Sequence, residues 1–368
     1  MYILITILLL VIAFIESATS KLEAITVKTK VGSLNFSPIG LGTWSWGNRF
    51  LWQYNKDEDE ILKETFNYVT RNGITWFDTG DSYGTGKLNG RAEELLGKFS
   101  CNDKNNRNYY FATKLACYPW RIGVDSMIKA AKESADRMQR PIDCLQLHWP
   151  PTLQWQEKEY LTAFCKLVKD GTVTQIGVSN YGPKGLKRVN DIVKNQGCQI
   201  YSNQVQFSLL SRYPLHNGLT VFCEEENIQL IGYSALALGL LGDKYTLDNL
   251  PSGPRSLLFK DFLPSIEPLL KAMREIAIKK KKTVGQVALN WNLSKGFLVL
   301  VGIRSLTQAK ENLDATGWKL TQSEIELLDR ISASIPKQII QNSFQSDRFT
   351  NKVISEGAWV RIIRVNQI

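Results

Sequence analysis

The sequence predicts an α/β protein built as a closed (β/α)8 barrel, and three observations lead there. Eight short apolar runs recur along the 368 residues, and each is followed by a helix-length segment. Those segments carry the 3.6-residue periodicity of amphipathic helices. The first glycine-rich turn, GLGTWSWG at 40–47, lacks the G-x-G-x-x-G spacing that opens a doubly wound dinucleotide-binding sheet, which would also need fewer units.

Taken in order, the elements begin after a leader. Within residues 1–20, Ile3 to Ile15 is almost unbroken apolar sequence, followed by Glu16 and the small residues Ala18 and Ser20. This is the pattern of a signal peptide without its usual positive start, and it also fits a signal anchor, although it is short for a bilayer span. AITVKTKVGSLNF then alternates around Gly32 and reads as a small hairpin. The strands follow as SPIGLGT (37–43), GITWFD (73–78), YYFATK (109–114), IDCLQLH (142–148), TQIGVS (174–179), YSNQVQF (201–207), IQLIGYS (228–234) and FLVLVG (297–302). Periodic helices between them include DEDEILKETFNYVTRN, VDSMIKAAKESADRM, KEYLTAFCKLVKDG and SIEPLLKAMREIAIKK. The stretch from Leu240 to Pro264 reads as a loop over the barrel mouth, and the chain beyond Leu328 as an extension beside it. The expected organisation is a leader over 1–20, a barrel over 24–335 and a C-terminal extension over 336–368.

Composition excludes several classes. The chain is 43% hydrophobic with 10 Trp, 13 Tyr and 15 Phe, which supplies a large core and argues against disorder. The net charge of +10 gathers only in KKKK at Lys279–Lys282 and in the C-terminal RIIRVNQI. No nucleic-acid-binding motif accompanies them, so the lysines read as a solvated helix end, where cations suit the dipole, and no nucleic-acid partner is expected. The six cysteines, at 101, 117, 144, 165, 198 and 223, show no paired spacing and read as buried thiols rather than a disulfide framework. N-x-S matches at Asn35 and Asn292 matter only on a secretory route. Only two histidines, 148 and 216, no HExxH and no cysteine cluster leave no metal site to expect.

In a barrel the strand ends converge on one face, which would bring Asp78, Lys114, His148, Asn180, Gln204 and Tyr233 together. Singly, each has a bland reading: a lone histidine is most often a partly buried polar residue, a terminal lysine an exit to solvent, Tyr83 a loop aromatic. Jointly they support one chemistry. A tyrosine, with an ordinary pKa of about 10, is a poor acid at neutral pH. A lysine ammonium beside it stabilises the phenolate, and a carboxylate paired to that lysine holds it in place while offsetting part of its effect. A histidine on the other side can orient a carbonyl oxygen at hydrogen-bond distance. Carbonyl reduction by hydride uses all of these groups. Paired carboxylates for glycoside hydrolysis would need acids on different strand ends, whereas Asp78 and Asp81 share one segment.

The blocks GLGTWSWG (40–47), WFDTGDSYG (76–84), FATK (111–114), LQLHWP (145–150), IGVSN (176–180), NQVQFS (203–208), GYSALALGLL (232–241) and GIRSLTQAKEN (302–312) resemble, in order, those of the aldo-keto reductase family. The resemblance covers about residues 27–330 and implies reduction of aldehydes and ketones with NADPH on a (β/α)8 barrel. It implies a catalytic tetrad of Asp78, Tyr83, Lys114 and His148. In it Tyr83 protonates the carbonyl oxygen, Lys114 lowers the pKa of Tyr83, Asp78 pairs with Lys114 and His148 orients the substrate. It also implies that Ser179, Asn180 and Gln204 hold the nicotinamide carboxamide, that Tyr233 stacks on the ring, that Arg304 meets the 2'-phosphate and that Glu311 and Asn312 meet the adenine. Departures are Val301 for the usual proline, Gln308 for a common arginine, and Gly80 for the usual alanine. GTWSWGNRFLWQY resembles the branch found in cyanobacteria and plant plastids.

The implied partner is a small carbonyl compound met by a monomer, with Trp44, Trp46, Trp52, Tyr118 and Trp149 as candidates for an aromatic mouth. NADPH and reduced cysteines suit a cytosol or stroma, whereas the leader suits a secretory route. The leader favours a plastid-type organelle or the secretory pathway, with a cytosol-facing membrane anchor through residues 1–20 or the cytoplasm as alternatives. The competing functional reading is a non-catalytic barrel of the same family that senses cofactor state as a regulatory subunit.

Overall fold

The computed structural model describes residues 25–29, 32–101 and 109–336. The leader over 1–20 and most of the extension over 336–368 lie outside the described residues. Strands β1 (Ile25–Thr29) and β2 (Gly32–Phe36) pair antiparallel, with Ile25 opposite Phe36 and Thr29 opposite Gly32, as the hairpin pattern predicts.

Eight parallel strands follow: β3 (Ile39–Gly42), β4 (Trp76–Asp78), β5 (Tyr110–Leu115), β6 (Ile142–Leu147), β7 (Val173–Ser179), β8 (Ile200–Gln206), β9 (Gln229–Tyr233) and β10 (Leu298–Gly302). They close in the order β10-β3-β4-β5-β6-β7-β8-β9, so each of the eight apolar runs is a barrel stave. Near-continuous burial along every stave reflects cover on both faces, side chains within the barrel and helices outside. The N-terminal end is stoppered by aromatics. Phe36, carried there by the hairpin, packs edge-on against Tyr110 at 4.7 Å and beside Tyr201, with Trp76 in the same cluster. Gly40 makes room for this plug, since a Cβ there would stand 2.2 Å from the Trp76 ring.

The helix Val124–Met138 has the predicted bounds and buries Met127, Ala130, Ala131, Ser134 and Met138, one stripe at helical spacing. The predicted loop over 240–264 is a correction. A helix runs from Arg255 to Lys280 through Pro264 and Pro268. Prolines lack the N–H that helix interiors use, which makes a start after them the natural reading. Burial of Phe259, Phe262, Leu263, Ile266, Leu269 and Leu270 carries the helix across both. Lys279 and Lys280 lie in its last turn and pair with Glu324, while Lys282 pairs with Asp314, so these lysines form a paired helix end.

The helix Gln322–Ser334 is capped by Thr321 and Glu324, and it docks through buried Leu328 and through Asp329, which accepts from Trp291 and Lys295. Five cysteines are buried thiols and Cys101 is exposed. Asn292 is fully buried and closed to glycosylation in the folded chain. Among the described residues no helix is long and apolar enough to cross a membrane.

Candidate active site

The C-terminal ends of the staves assemble one polar cluster. Asp78 is the last residue of β4, Lys114 lies near the end of β5, His148 follows β6, and Ser179 ends β7. Gln204 projects from β8 and Tyr233 ends β9. Tyr83 comes from the turn after β4, which folds back so that the Tyr83 amide donates to the carbonyl of Gly80 at 3.0 Å. A Cβ at Gly80 would sit 3.2 Å from the Tyr83 ring, so the small residue gives that ring close contact with the turn.

Lys114 organises the cluster. Its ammonium has three N–H groups, and it donates to Asp78 Oδ1, to the Thr79 carbonyl at 2.8 Å and to Tyr83 Oη at 3.1 Å. All three donors are satisfied in a side chain that is 1% exposed. Tyr83 Oη, having accepted from Lys114, keeps its own proton for another acceptor. The His148 ring stands edge-on to the Tyr83 ring at 5.7 Å and lies 4.5 Å from the ring of Trp149. Asp81 serves the turn instead, accepting from the Ala116 amide and pairing with Arg121 at 2.9 Å.

Electrostatics sort the roles. Burial pushes the Tyr83 phenol above its ordinary value, against the lowering pull of Lys114. Lys114 acts in the expected direction, but desolvation outweighs it, and the phenol holds its proton through neutral pH. Lys114 is moved up, because Asp78 and Tyr83 together overcome its own desolvation, so it stays an ammonium. Burial and the Lys114 charge hold His148 well below its usual value, which makes it a neutral imidazole.

Ser179, Asn180, Gln204 and Tyr233 form a second, contiguous set. Ser179 Oγ donates to the Gln204 carbonyl at 2.8 Å, and Asn180 Nδ2 donates to Ser179 Oγ and to the His148 carbonyl. Tyr233 Oη donates to Asn180 Oδ1 at 2.8 Å. Asn180 is held at φ 68°, a left-handed conformation that asparagine tolerates better than most residues. After β9 the backbone is left-handed again at Ser234, Ala237 and Leu238. Such strain clusters at ligand sites.

The third predicted group sits elsewhere on the mouth. Arg304 lines a cavity of about 240 Å³ with Leu51, Trp52, Gln53, Glu58, Ser252 and Arg255. Its guanidinium pairs with Glu58 at 2.5 Å and donates to the Trp52 carbonyl, and Arg255 stacks over the Trp52 ring at 4.6 Å. Three buried donors here have no hydrogen-bond partner: Trp52 Nε1, Arg255 Nε and Arg304 Nε. Glu311 pairs with Lys244 and accepts from Thr283, and Asn312 is buried on the helix Leu306–Leu313. Of the aromatic candidates, Trp46 is in the core, donating to the Ile303 carbonyl and packing on Phe99, which corrects its placement at the mouth. Trp44 and Trp52 meet edge to face, and Tyr118 stacks on the exposed Trp120 at 4.7 Å. Sequence reasoning missed Gln146, Arg255 and Trp120. Only Trp120 gave a signal, an aromatic two residues past Tyr118.

Among the described residues, no group of His, Cys, Asp or Glu is arranged to hold a metal ion. A family model described as the aldo/keto reductase family matches residues 38–333. The chain is 45% identical over 328 residues to the chloroplastic pyridoxal reductase of Arabidopsis thaliana, covering 87% of this chain and 89% of that protein. It is 34% identical to an uncharacterized oxidoreductase of Mycobacterium tuberculosis, over 86% of this chain and 95% of the relative. Among solved structures, the glycerol dehydrogenase of Gluconobacter oxydans aligns with a TM-score of 0.73 at 24% identity, over 88% of this chain and 98% of the other. An aldo-keto reductase of Klebsiella pneumoniae in complex with NADPH aligns at 0.66 and 24%, over 85% and 96%.

Proposed function

The chain belongs to the aldo/keto reductase family, and from that membership and the geometry above we propose that it reduces pyridoxal-type aldehydes to alcohols with NADPH. The observation that carries the reading is the Lys114 ammonium shared between Asp78 and Tyr83. NADPH, when bound, supplies the hydride to the carbonyl carbon. Tyr83 gives its Oη proton to the carbonyl oxygen, and Lys114 stabilises the phenolate left behind. Asp78 holds Lys114 in register. His148, neutral, donates a hydrogen bond that aims the carbonyl oxygen at Tyr83.

The residues present fit the cofactor. A cavity lined by Arg255 and Arg304 suits a phosphate, since guanidinium groups match phosphate oxygens. Arg304 and Arg255 would take the 2'-phosphate, Glu311 and Asn312 the adenine side. Ser179, Asn180 and Gln204 would take the carboxamide and Tyr233 the nicotinamide face. Trp149, packed beside His148, brings an aromatic surface to the tetrad that suits a planar aldehyde such as a pyridine ring. The 45% identity to a pyridoxal reductase points to that substrate, and its chloroplastic location together with the free thiols supports a plastid-type compartment.

The test is NADPH oxidation by the full chain against pyridoxal, other aldehydes and ketones, with NADH in parallel. Turnover favouring NADPH and pyridoxal is expected. Tyr83→Phe should lower turnover by about 10²–10⁴-fold while NADPH still binds. A Phe variant as fast as the native chain would overturn the assignment of Tyr83.

A further inference from the structure

Asp78 has two carboxylate oxygens, and the tetrad uses only Oδ1. Oδ2 is held separately. Gln146 Nε2 donates to it at 3.0 Å and Gln204 Nε2 at 2.7 Å, while Gln204 Nε2 also lies 3.5 Å from Gln146 Oε1. Gln146 is fully buried in the barrel interior, directly in register with Lys114 on the neighbouring strand. On its other side stands Gly177, whose Cβ, if present, would be 2.8 Å from Gln146 Cγ and 2.7 Å from Ser202 Oγ. The barrel therefore leaves a gap in β7 that the Gln146 side chain fills.

A buried amide is costly unless its hydrogen bonds are made, and a barrel-interior position more often carries Val, Ile or Leu. Here it is spent on the carboxylate. We propose that Gln146 is a positioning residue for the reduction. It fixes the second oxygen of Asp78 and the amide of Gln204, and so joins the proton donor to the residue assigned to the nicotinamide carboxamide. This rests on the reductase reading above.

The mechanism is electrostatic. Tyr83 faces Lys114 from β5, Asp78 from β4, Asp81 from its own turn and His148 from the end of β6. Lys114 pulls the phenol down and Asp78 pushes it up. Two amide dipoles on Oδ2 draw carboxylate charge away from the Lys114 side, leaving more of the ammonium field for Tyr83. Without Gln146, Asp78 opposes Lys114 more strongly, and the phenol becomes a weaker acid.

Gln146→Met fills nearly the same volume without a donor, which separates packing from hydrogen bonding. With an unchanged melting temperature, kcat for reduction is expected to fall about tenfold. The alkaline limb of its pH profile should move to higher pH, and KM for the carbonyl should stay within about twofold. A merely structural role would leave the pH profile in place, so a Met variant with the native kcat and profile overturns the proposal. Gly177→Ala, which crowds Gln146 from β7, gives the same shift by a second route if the Met variant folds poorly. The Tyr83 ionisation is also read without substrate, by titrating the chain with 13C-labelled tyrosine and assigning the resonance with Tyr83→Phe. If the native chain reduces no carbonyl, the reductase reading fails. The titration still decides Gln146: an upward move in the Met variant supports it, and no move refutes it.

Discussion

The two ends of the proposed cofactor groove are finished to different degrees. At the tetrad end every Lys114 donor has an acceptor, and Asp78 accepts from Lys114, Gln146 and Gln204. At the Arg304 end, three buried N–H groups have no partner, and Arg304 is held by Glu58, a carboxylate where a phosphate would suit it. The difference follows from where each end is built. The tetrad rests on stave ends fixed by eight-fold pairing, whereas Trp52, Glu58 and Ser252 come from connecting segments. On the proposed function, preorganisation is concentrated where transition-state charge would develop, and the end built from connecting segments is the one that binding would organise.

Breaking the finished end should have the largest effect. Lys114→Met leaves Asp78 buried with its charge partner gone, and losing one member of such a pair costs about 3–5 kcal/mol of stability. Thermal or denaturant unfolding reads this, and turnover should drop with it. A variant as stable as the native chain would show that the pair contributes little. At the unfinished end, Arg255→Ala should hardly change stability but weaken NADPH about tenfold, with NADH much less affected. Cofactor titration by fluorescence reads both constants. Equal loss for the two cofactors would place Arg255 away from the 2'-phosphate.

The same contrast explains what the sequence disclosed. The staves were legible because apolar runs bounded by turns leave few other readings, and Asp78 and His148 were legible because they interrupt or end such runs. Gln146 was hidden by its setting: inside LQLHWP a single polar residue reads as strand alternation, and only the barrel's closure shows it facing Asp78. Arg255 was hidden by Pro264 and Pro268, which turned its helix into an expected loop. Trp46 illustrates the reverse error. Its neighbours Trp44 and Trp52 meet each other edge to face, yet Trp46 points inward to Phe99, a choice set by packing that no local spacing encodes.

The smallest expected effect concerns the finished end under acid. His148 is held well below the usual imidazole value of about 6.5 by burial and by Lys114, so the folded chain resists a proton that the unfolded chain accepts. Above that value both states are neutral and His148 contributes nothing. As pH falls through it, the unfolded state binds more protons and stability declines, by at most about 1.4 kcal/mol per pH unit and less for a ring that keeps some exposure. Asp81, Glu93 and Asp143, whose carboxyls are raised by burial, act in the opposite sense, because the folded state protonates first. They are present in native and variant alike and cancel in a difference. The melting temperature of the native chain should therefore fall more steeply from pH 6.5 downward than that of His148→Asn. Parallel curves would mean that the imidazole takes up its proton in the folded site, and a neutral donor role for His148 would then fail.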